Sequence, residues 1–248
     1  MKAVILAAGI GDRLGGVAGG RPKCLLEFNH TSLLARHIAN LERLPVTSVL
    51  VVTGYGSEAI GRELASIDTR LSVATLFNPE YRSGSLISLY TARDFTRPDD
   101  DCLLMDADVL YHPDILARLA TTPHENCFLL DRDFVPGDEP VKLCVRDETL
   151  VDFRKHIDPA LDFDYQGESV GFFRFTGDTM QDLMERAQRY LAERLDDAPY
   201  EELIRDHLLE YPQRFSFEDI TGLPWLEIDF PEDVQRAEQN ILPRIDGL

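Results

Sequence analysis

Apolar and polar positions change period repeatedly along the first half of the chain, and each change marks an element. Met1 to Ala7 is a short apolar run rich in strand formers, and Ser32 to Leu44 takes the three-to-four-residue spacing of an amphipathic helix. Ser48 to Thr53 (Ser-Val-Leu-Val-Val-Thr) is apolar almost without interruption, as in a strand covered on both faces. A helix over Ser57 to Ser66 follows, then a strand over Leu71 to Phe77. The polar run Arg82-Ser83-Gly84-Ser85 opens a helix over Ser85 to Phe95, and Cys102 to Met105 is another apolar strand. Strands alternating with helices at this spacing predict right-handed βαβ units and a doubly wound, mostly parallel α/β sheet.

The second half reads differently. Val141-Lys142-Leu143-Cys144-Val145 and Leu150-Val151-Asp152-Phe153 alternate as a hairpin around Arg146-Asp147-Glu148-Thr149, and Gly167 to Phe172 returns as a strand. A β-rich insertion is therefore expected from about Cys127 to Phe175. A long helix from Gly177 to Leu195 carries Leu183, Ala187, Tyr190 and Leu191 on one face, fit for core packing or a homodimer contact. A further helix spans Tyr200 to Leu209. An alternating strand beginning near Leu223 ends at Asp229, and Pro231 starts the last helix, Glu232 to Leu242. No linker-like stretch divides the 248 residues, so one domain is expected.

The most informative chemistry directly follows the first strand. Leu6-Ala7-Ala8-Gly9-Ile10-Gly11-Asp12-Arg13, then Arg21-Pro22-Lys23, places a glycine turn and three cations at the carboxyl end of a buried strand, where open α/β sheets bind ligands. Glycines let backbone N–H groups approach phosphate oxygens, and Arg13, Arg21 and Lys23 add charge. A dinucleotide fingerprint needs a glycine where Leu14 stands, and a Walker loop needs Gly-Lys-Ser/Thr, whereas Lys23 lies between Pro22 and Cys24. Asp106-Ala107-Asp108 forms a second centre: alternation sends both aspartates to one side, facing the glycine loop across the crevice, where hard oxygens suit Mg²⁺ on phosphates. Asp229 is the candidate partner carboxylate, with capping of the last helix as its other reading.

These residues resemble a known family. The first segment matches the L-x-x-G-x-G-x-R-(x)n-P-K signature of nucleotidyltransferases that make sugar nucleotides and CDP-alcohols. The Asp-x-Asp, the closing Glu227-Ile228-Asp229-x-x-Glu232-Asp233-Val234 and Pro199-Tyr200-Glu201-Glu202 look like the choline-phosphate cytidylyltransferase branch, over essentially the whole chain. The resemblance implies a Rossmann-like fold with a nucleotide-binding part over about 1–126 and an acceptor-binding part over about 127–230. It implies CTP as nucleotide and Mg²⁺ held by Asp108 and Asp229. Nucleotide contacts fall to Leu6, Ala8, Gly9, Gly11, Asp12, Arg13, Lys23, Asn78, Gly84, Ser85 and Asp106. Lys155 matches a lysine that reaches the acceptor phosphate, and joins Lys23 and Arg13 as a catalytic candidate. Glu168, Tyr200 and Glu202 are acceptor-binding candidates.

The implied reaction is attack by a small phosphorylated or phosphono acceptor on the α-phosphorus of CTP. Phosphocholine, phosphoethanolamine and 2-aminoethylphosphonate are the acceptors considered. The family's choline enzymes carry a Trp beside the tyrosine where this chain has Glu201, which favours a primary amine or a polyol over choline; whether Lys142, Glu201 and Trp225 touch the acceptor stays open. The alternatives are a sugar-1-phosphate or molybdopterin-type enzyme using another nucleotide, and a non-catalytic nucleotide-binding regulator.

Composition narrows the partners. A formal net charge of −19 disfavours nucleic acid and anionic membrane, both of which need a basic face. No apolar run approaches a membrane span and no secretory signal is evident, which gives a cytoplasmic expectation. Cys24, Cys102, Cys127 and Cys144 are widely spaced, as expected of reduced buried thiols rather than a zinc site or disulfide framework.

Overall fold

The computed structural model describes residues 1–245. In chain order the elements are β1 (Lys2–Ala7), β2 (Glu27–Phe28), β3 (Thr31–Ser32), α1 (Leu33–Glu42), β4 (Ser48–Thr53), α2 (Ser57–Ser66), β5 (Ser72–Phe77), α3 (Ser85–Thr91), β6 (Asp101–Asp106), β7 (Val109–Tyr111) and α4 (Pro113–Thr121). There follow β8 (Asn126–Asp131), β9 (Lys142–Arg146), β10 (Thr149–Arg154), β11 (Tyr165–Thr176), α5 (Gly177–Ala192), α6 (Tyr200–Glu210), β12 (Phe215–Asp219), β13 (Trp225–Glu227), α7 (Pro231–Arg236) and α8 (Leu242–Ile245), the last two joined by a π-helical turn.

The main sheet runs β10-β9-β11-β6-β1-β4-β5, with β8 also paired to β11 and β12 to β8. Its centre is parallel: β1 lies between β4 and β6, with Leu6 beside Asp106 in register, so the glycine loop and the acidic triplet emerge side by side. Strand β11 makes the join to the other half. Its first residues pair with β9 and its last with β6, both antiparallel, so one 12-residue strand carries the hairpin to the edge of the crevice.

Helices cover both faces, as the uninterrupted apolar strands require. Leu34, Ile38 and Leu41 of α1, Ile60 of α2 and Ile115, Leu116 and Leu119 of α4 pack on one face with Ala3, Ile5, Val49 and Val51. On the other face α3, α5 and α6 pack against Val4, Val52, Leu104 and a phenylalanine cluster in which Phe128 meets Phe153, Phe173, Phe175 and Phe215 at ring separations of 5.1 to 6.3 Å. Each such ring contributes about 1.5–3 kcal/mol by leaving water. Leu183 and Ala187 of α5 are fully buried in this cluster, with the partly buried Tyr190 and Leu191 packed beside them, so that helix face serves core packing. All four cysteines are buried free thiols. Among the described residues no helix is long and apolar enough to cross a membrane.

Several boundaries differ from the sequence reading. Helix α3 stops at Thr91, four residues before Phe95, and α5 at Ala192, while the closing strand stops at Glu227 and leaves Asp229 beyond it. Strand β13 ends there because β7, its only partner among the described residues, pairs Glu227 with Val109 and then turns into β6.

Candidate active site

Strand β1 delivers Ala8, Gly9 and Gly11 to the crevice. Gly11 has φ +71°, and a Cβ there would lie 2.8 Å from Lys23 Cγ, so the turn needs glycine both for its backbone and for the lysine passing over it. Lys23 reaches across to Asp108 Oδ2 at 3.0 Å and to Asp229 Oδ1 in a shorter contact. Burial works against its ammonium charge, but attraction to the two aspartates wins and holds its pKa above the usual lysine value.

The carboxylates around Lys23 exceed what one lysine neutralises. Asp108, Glu227 and Asp229 each bring an oxygen within 4.8 Å of the others. Restricted solvation in the cleft, then repulsion from Asp108 and Asp229, holds the Glu227 carboxyl above the usual carboxylate range. Three hard oxygen donors with surplus negative charge fit a divalent cation such as Mg²⁺. Asp229 is not the cap of the last helix: Asp233 takes that task, its Oδ2 accepting from Asp229 N at 3.1 Å and Phe230 N at 2.8 Å, which leaves the Asp229 side chain to the cleft.

Asp106 faces the same cleft from a deeper position. Tyr200 donates its hydroxyl to Asp106 Oδ2 at 2.7 Å, and Gly171, at φ +77°, passes so near that a Cβ would lie 2.3 Å from that oxygen. Burial, then repulsion from Asp108, Glu201 and Glu227, drives the Asp106 carboxyl well above its ordinary value despite the tyrosine. Beneath the triplet, His37 is completely buried, with Nε2 3.2 Å from the Ala107 carbonyl and Nδ1 3.3 Å from the Tyr111 hydroxyl. A carbonyl only accepts, so Nε2 carries the proton and Nδ1 accepts from Tyr111. His37 thereby anchors the peptide between Asp106 and Asp108.

The cleft has a volume of about 340 Å³, and of the candidate residues Leu6, Ala8, Gly9, Arg13, Lys23, Gly84, Ser85, Asp106, Asp108, Tyr200 and Asp229 line it, together with Glu201 and Glu227. Arg13 sits on the rim, 2.9 Å from Glu139 and 3.6 Å from Asp229, its guanidinium 5.2 Å from the Phe230 ring centre. Ser85 Oγ accepts from Tyr200 N at 2.9 Å and so ties α6 to the start of α3. Lys155 lies in an adjoining side cavity, paired with Glu139 at 3.2 Å.

Other expected residues stand elsewhere. Asn78 is fully buried, its amide spent on Ser88 Oγ and Glu80 N, so it shapes the turn before α3. Asp12 is exposed at the start of a 3₁₀ turn and Arg21 pairs with Glu27 at 3.4 Å; neither lines the cleft. Glu202 turns away to Arg154 at 3.3 Å, because successive helical positions diverge and Glu201 takes the cleft side. Glu168 lies opposite Asp131 and Lys142 in the sheet and lines a neighbouring cavity with Trp225, its carboxyl raised to about 7 by burial and Asp131. Trp225 donates to Asp131 at 2.7 Å. Lys142 is buried, its ammonium given to the carbonyls of Gly137, Pro140 and Lys155, which makes it a structural cation.

Glu227 went unrecognised in the sequence although a signal existed: the two-residue alternation that pairs Asp106 with Asp108 also pairs Glu227 with Asp229. His37 had no sequence signal, since nothing local distinguishes it from any histidine on an apolar helix face.

Comparison with known proteins agrees with this geometry. A CMP-5'-(3-aminopropyl)phosphonate synthase of Streptomyces rubellomurinus is 29% identical over 98% of this chain and 39% of its own length. A choline-phosphate cytidylyltransferase of Haemophilus influenzae is 31% identical over 46% of this chain and 47% of its own. The chain thus spans about half or less of the length of these relatives. The inositol-1-phosphate CTP transferase structure from T. maritima superposes with a TM-score of 0.80 at 19% identity, covering 100% of this chain and 97% of the other, which establishes a shared fold. Residues 3–153, more than half of the sequence, match the model of the MobA-like NTP transferase domain, and the chain belongs to that family.

Proposed function

We propose that the chain is a cytidylyltransferase that joins CMP to a small phosphorylated or phosphono acceptor and releases pyrophosphate. The observation that carries this reading is the convergence of Lys23, which passes over Gly11 of the glycine loop, with Asp108 just past β6 and Asp229 just past β13. The cytidylyltransferases among its relatives support CTP as the nucleotide.

An oxygen of the acceptor phosphate or phosphonate attacks the α-phosphorus in line, the new P–O bond forms, and the bond to the bridging oxygen of pyrophosphate breaks. A phosphate monoester has a second pKa near ~6, so the nucleophile is ionised at neutral pH without a general base. Catalysis is then positioning and charge neutralisation. Lys23 leaves its aspartates to meet the reacting phosphates. Arg13, exposed on the rim, exchanges Glu139 for the departing β- and γ-phosphates, and Lys155 makes the same exchange for the acceptor phosphate. Asp108, Glu227 and Asp229 would hold Mg²⁺, which when bound supplies charge neutralisation between nucleotide and acceptor.

The test is pyrophosphate release with CTP, UTP, GTP and ATP against phospho- and phosphono-alcohols and hexose 1-phosphates, with Mg²⁺ and with chelator. Release with CTP and a phospho- or phosphono-alcohol, lost on chelation, is the expected result. Release only with another nucleotide and a sugar phosphate refutes the assignment.

A further inference from the structure

We propose that strand β5, the open edge of the main sheet, is a self-association surface on which two copies of this chain pair antiparallel about a two-fold axis normal to the sheet. Among the described residues β5 pairs with β4 alone, in unbroken register from Ser48 beside Ser72 to Thr53 beside Phe77. An unpaired strand edge is a template for a further strand, and proteins blunt such edges with charge, proline, a bulge or a covering element. The edge at β10 is blunted in this way: it bulges between Leu150 and Asp152, and Arg205 of α6 reaches over to Asp152 at 2.6 Å. Strand β5, Ser-Val-Ala-Thr-Leu-Phe, has neither charge nor proline nor bulge, and it leaves Leu76 43% and Phe77 50% exposed.

The backbone fixes what this edge offers. Ser72 N donates to Thr47 O at 3.2 Å, Asn78 N donates to Thr53 O at 2.8 Å, and Leu76 O accepts from Thr53 Oγ1 at 3.5 Å, so the even positions face β4. Val73, Thr75 and Phe77 therefore turn their N–H and C=O groups outward. Residues opposite one another at the hydrogen-bonded positions of an antiparallel pair exchange both bonds, so an outward set must meet an outward set. A two-fold axis through Thr75 achieves this with a second copy: Thr75 faces Thr75, and Val73 faces Phe77 on either side of it. A threonine pair and aromatic–β-branched pairs are favourable across strands, and on the opposite face Ala74 meets Leu76. The exposed Leu76 and Phe77 are thereby covered.

Charge fits a second copy and sets its direction. Arg70 precedes the strand and Glu80 follows it, both exposed, so antiparallel pairing brings Arg70 of each copy to the Glu80 end of the other, whereas parallel pairing aligns like charges. A net charge of −19 keeps copies apart over most of the surface, which confines contact to a stretch without charge. The pairing uses up the edge in both copies, so the assembly closes at two. It also borders the cleft: the Phe77 ring centre lies 6.5 Å from that of Tyr81, a residue of the cleft wall.

The experiment is sedimentation velocity on the full chain over a concentration series at physiological ionic strength. The wild type is expected to pass from one chain to two as concentration rises, and no further. Thr75→Lys sets like charges face to face on the axis, and Thr75→Pro removes an outward N–H without removing a bond to β4. Each is expected to raise the dissociation constant of the dimer at least ~10-fold. Arg70→Glu and Glu80→Arg are each expected to raise it by ~2–10-fold, and the two combined in one chain to restore it. Urea unfolding curves like that of the wild type establish that the variants fold. A single chain at every concentration, growth beyond two chains, a dissociation constant unmoved by both Thr75 variants, or a double charge swap no tighter than the single ones overturns the proposal.

Discussion

His37 ties the stability of the protein to the geometry of its acidic triplet. The ring is completely buried against Tyr111 and Phe172, at 5.4 and 6.0 Å between ring centres, and burial lowers its pKa from 6.5 to about 4 despite the Ala107 carbonyl and the charge of Asp108. The unfolded chain therefore takes up a proton that the folded chain refuses. The stability it contributes is fully present above pH 6.5 and is lost as pH falls through that value towards 4. Linkage gives a loss of about 2 kcal/mol between pH 7 and pH 5, and about 3 kcal/mol once both states are protonated. The reference is His37→Gln, whose amide donates to Ala107 and accepts from Tyr111 without titrating. Urea unfolding of both proteins at several pH values isolates the effect, because every other titrating group is common to the two. The wild type is expected to lose about 2 kcal/mol more than the variant between pH 7 and pH 5. Parallel profiles would refute the buried neutral imidazole and with it the anchoring of Ala107.

Two further outcomes test how the cleft is built. Gly171→Ala forces a side chain into a left-handed backbone and against Asp106 Oδ2, and is expected to cost about 2–4 kcal/mol in urea unfolding and to lower pyrophosphate release with it. Glu202→Ala removes only the partly exposed pair with Arg154, and is expected to shift stability by less than about 1 kcal/mol and leave KM for the acceptor unchanged; a large rise in KM would place Glu202 at the acceptor after all.

Local pattern was enough for the elements whose ends are chemically marked. Strand β4 and helix α2 fall on the residues expected, Ser48–Thr53 and Ser57–Ser66, because continuous apolar strands and polar helix starts leave little freedom. The glycine loop and the Asp106 and Asp108 pair were legible because a glycine turn and paired acids directly after apolar strands stand out in the pattern, and the structure brings Lys23 to the same cleft. What stayed hidden depends on which side of an element meets which neighbour. Glu201 and Glu202 are equivalent in sequence and separate only when α6 packs across β10, which gives Glu202 to Arg154. Asn78 and Lys142 carried functional-looking polarity but are consumed by their own chain's turns, a cost of backbone satisfaction that no spacing rule reveals. Arg21 shares a loop with Lys23, yet only Lys23 passes over Gly11 into the cleft.

The most direct measurement is the rate of pyrophosphate release from CTP by Lys23→Ala, with the best acceptor and saturating Mg²⁺, beside its urea unfolding curve. Removing the cation that meets the reacting phosphates is expected to lower kcat by about 10²–10³-fold while the protein remains folded. A folded Lys23→Ala that turns over at the wild-type rate would contradict the placement of the reaction between Lys23, Asp108 and Asp229.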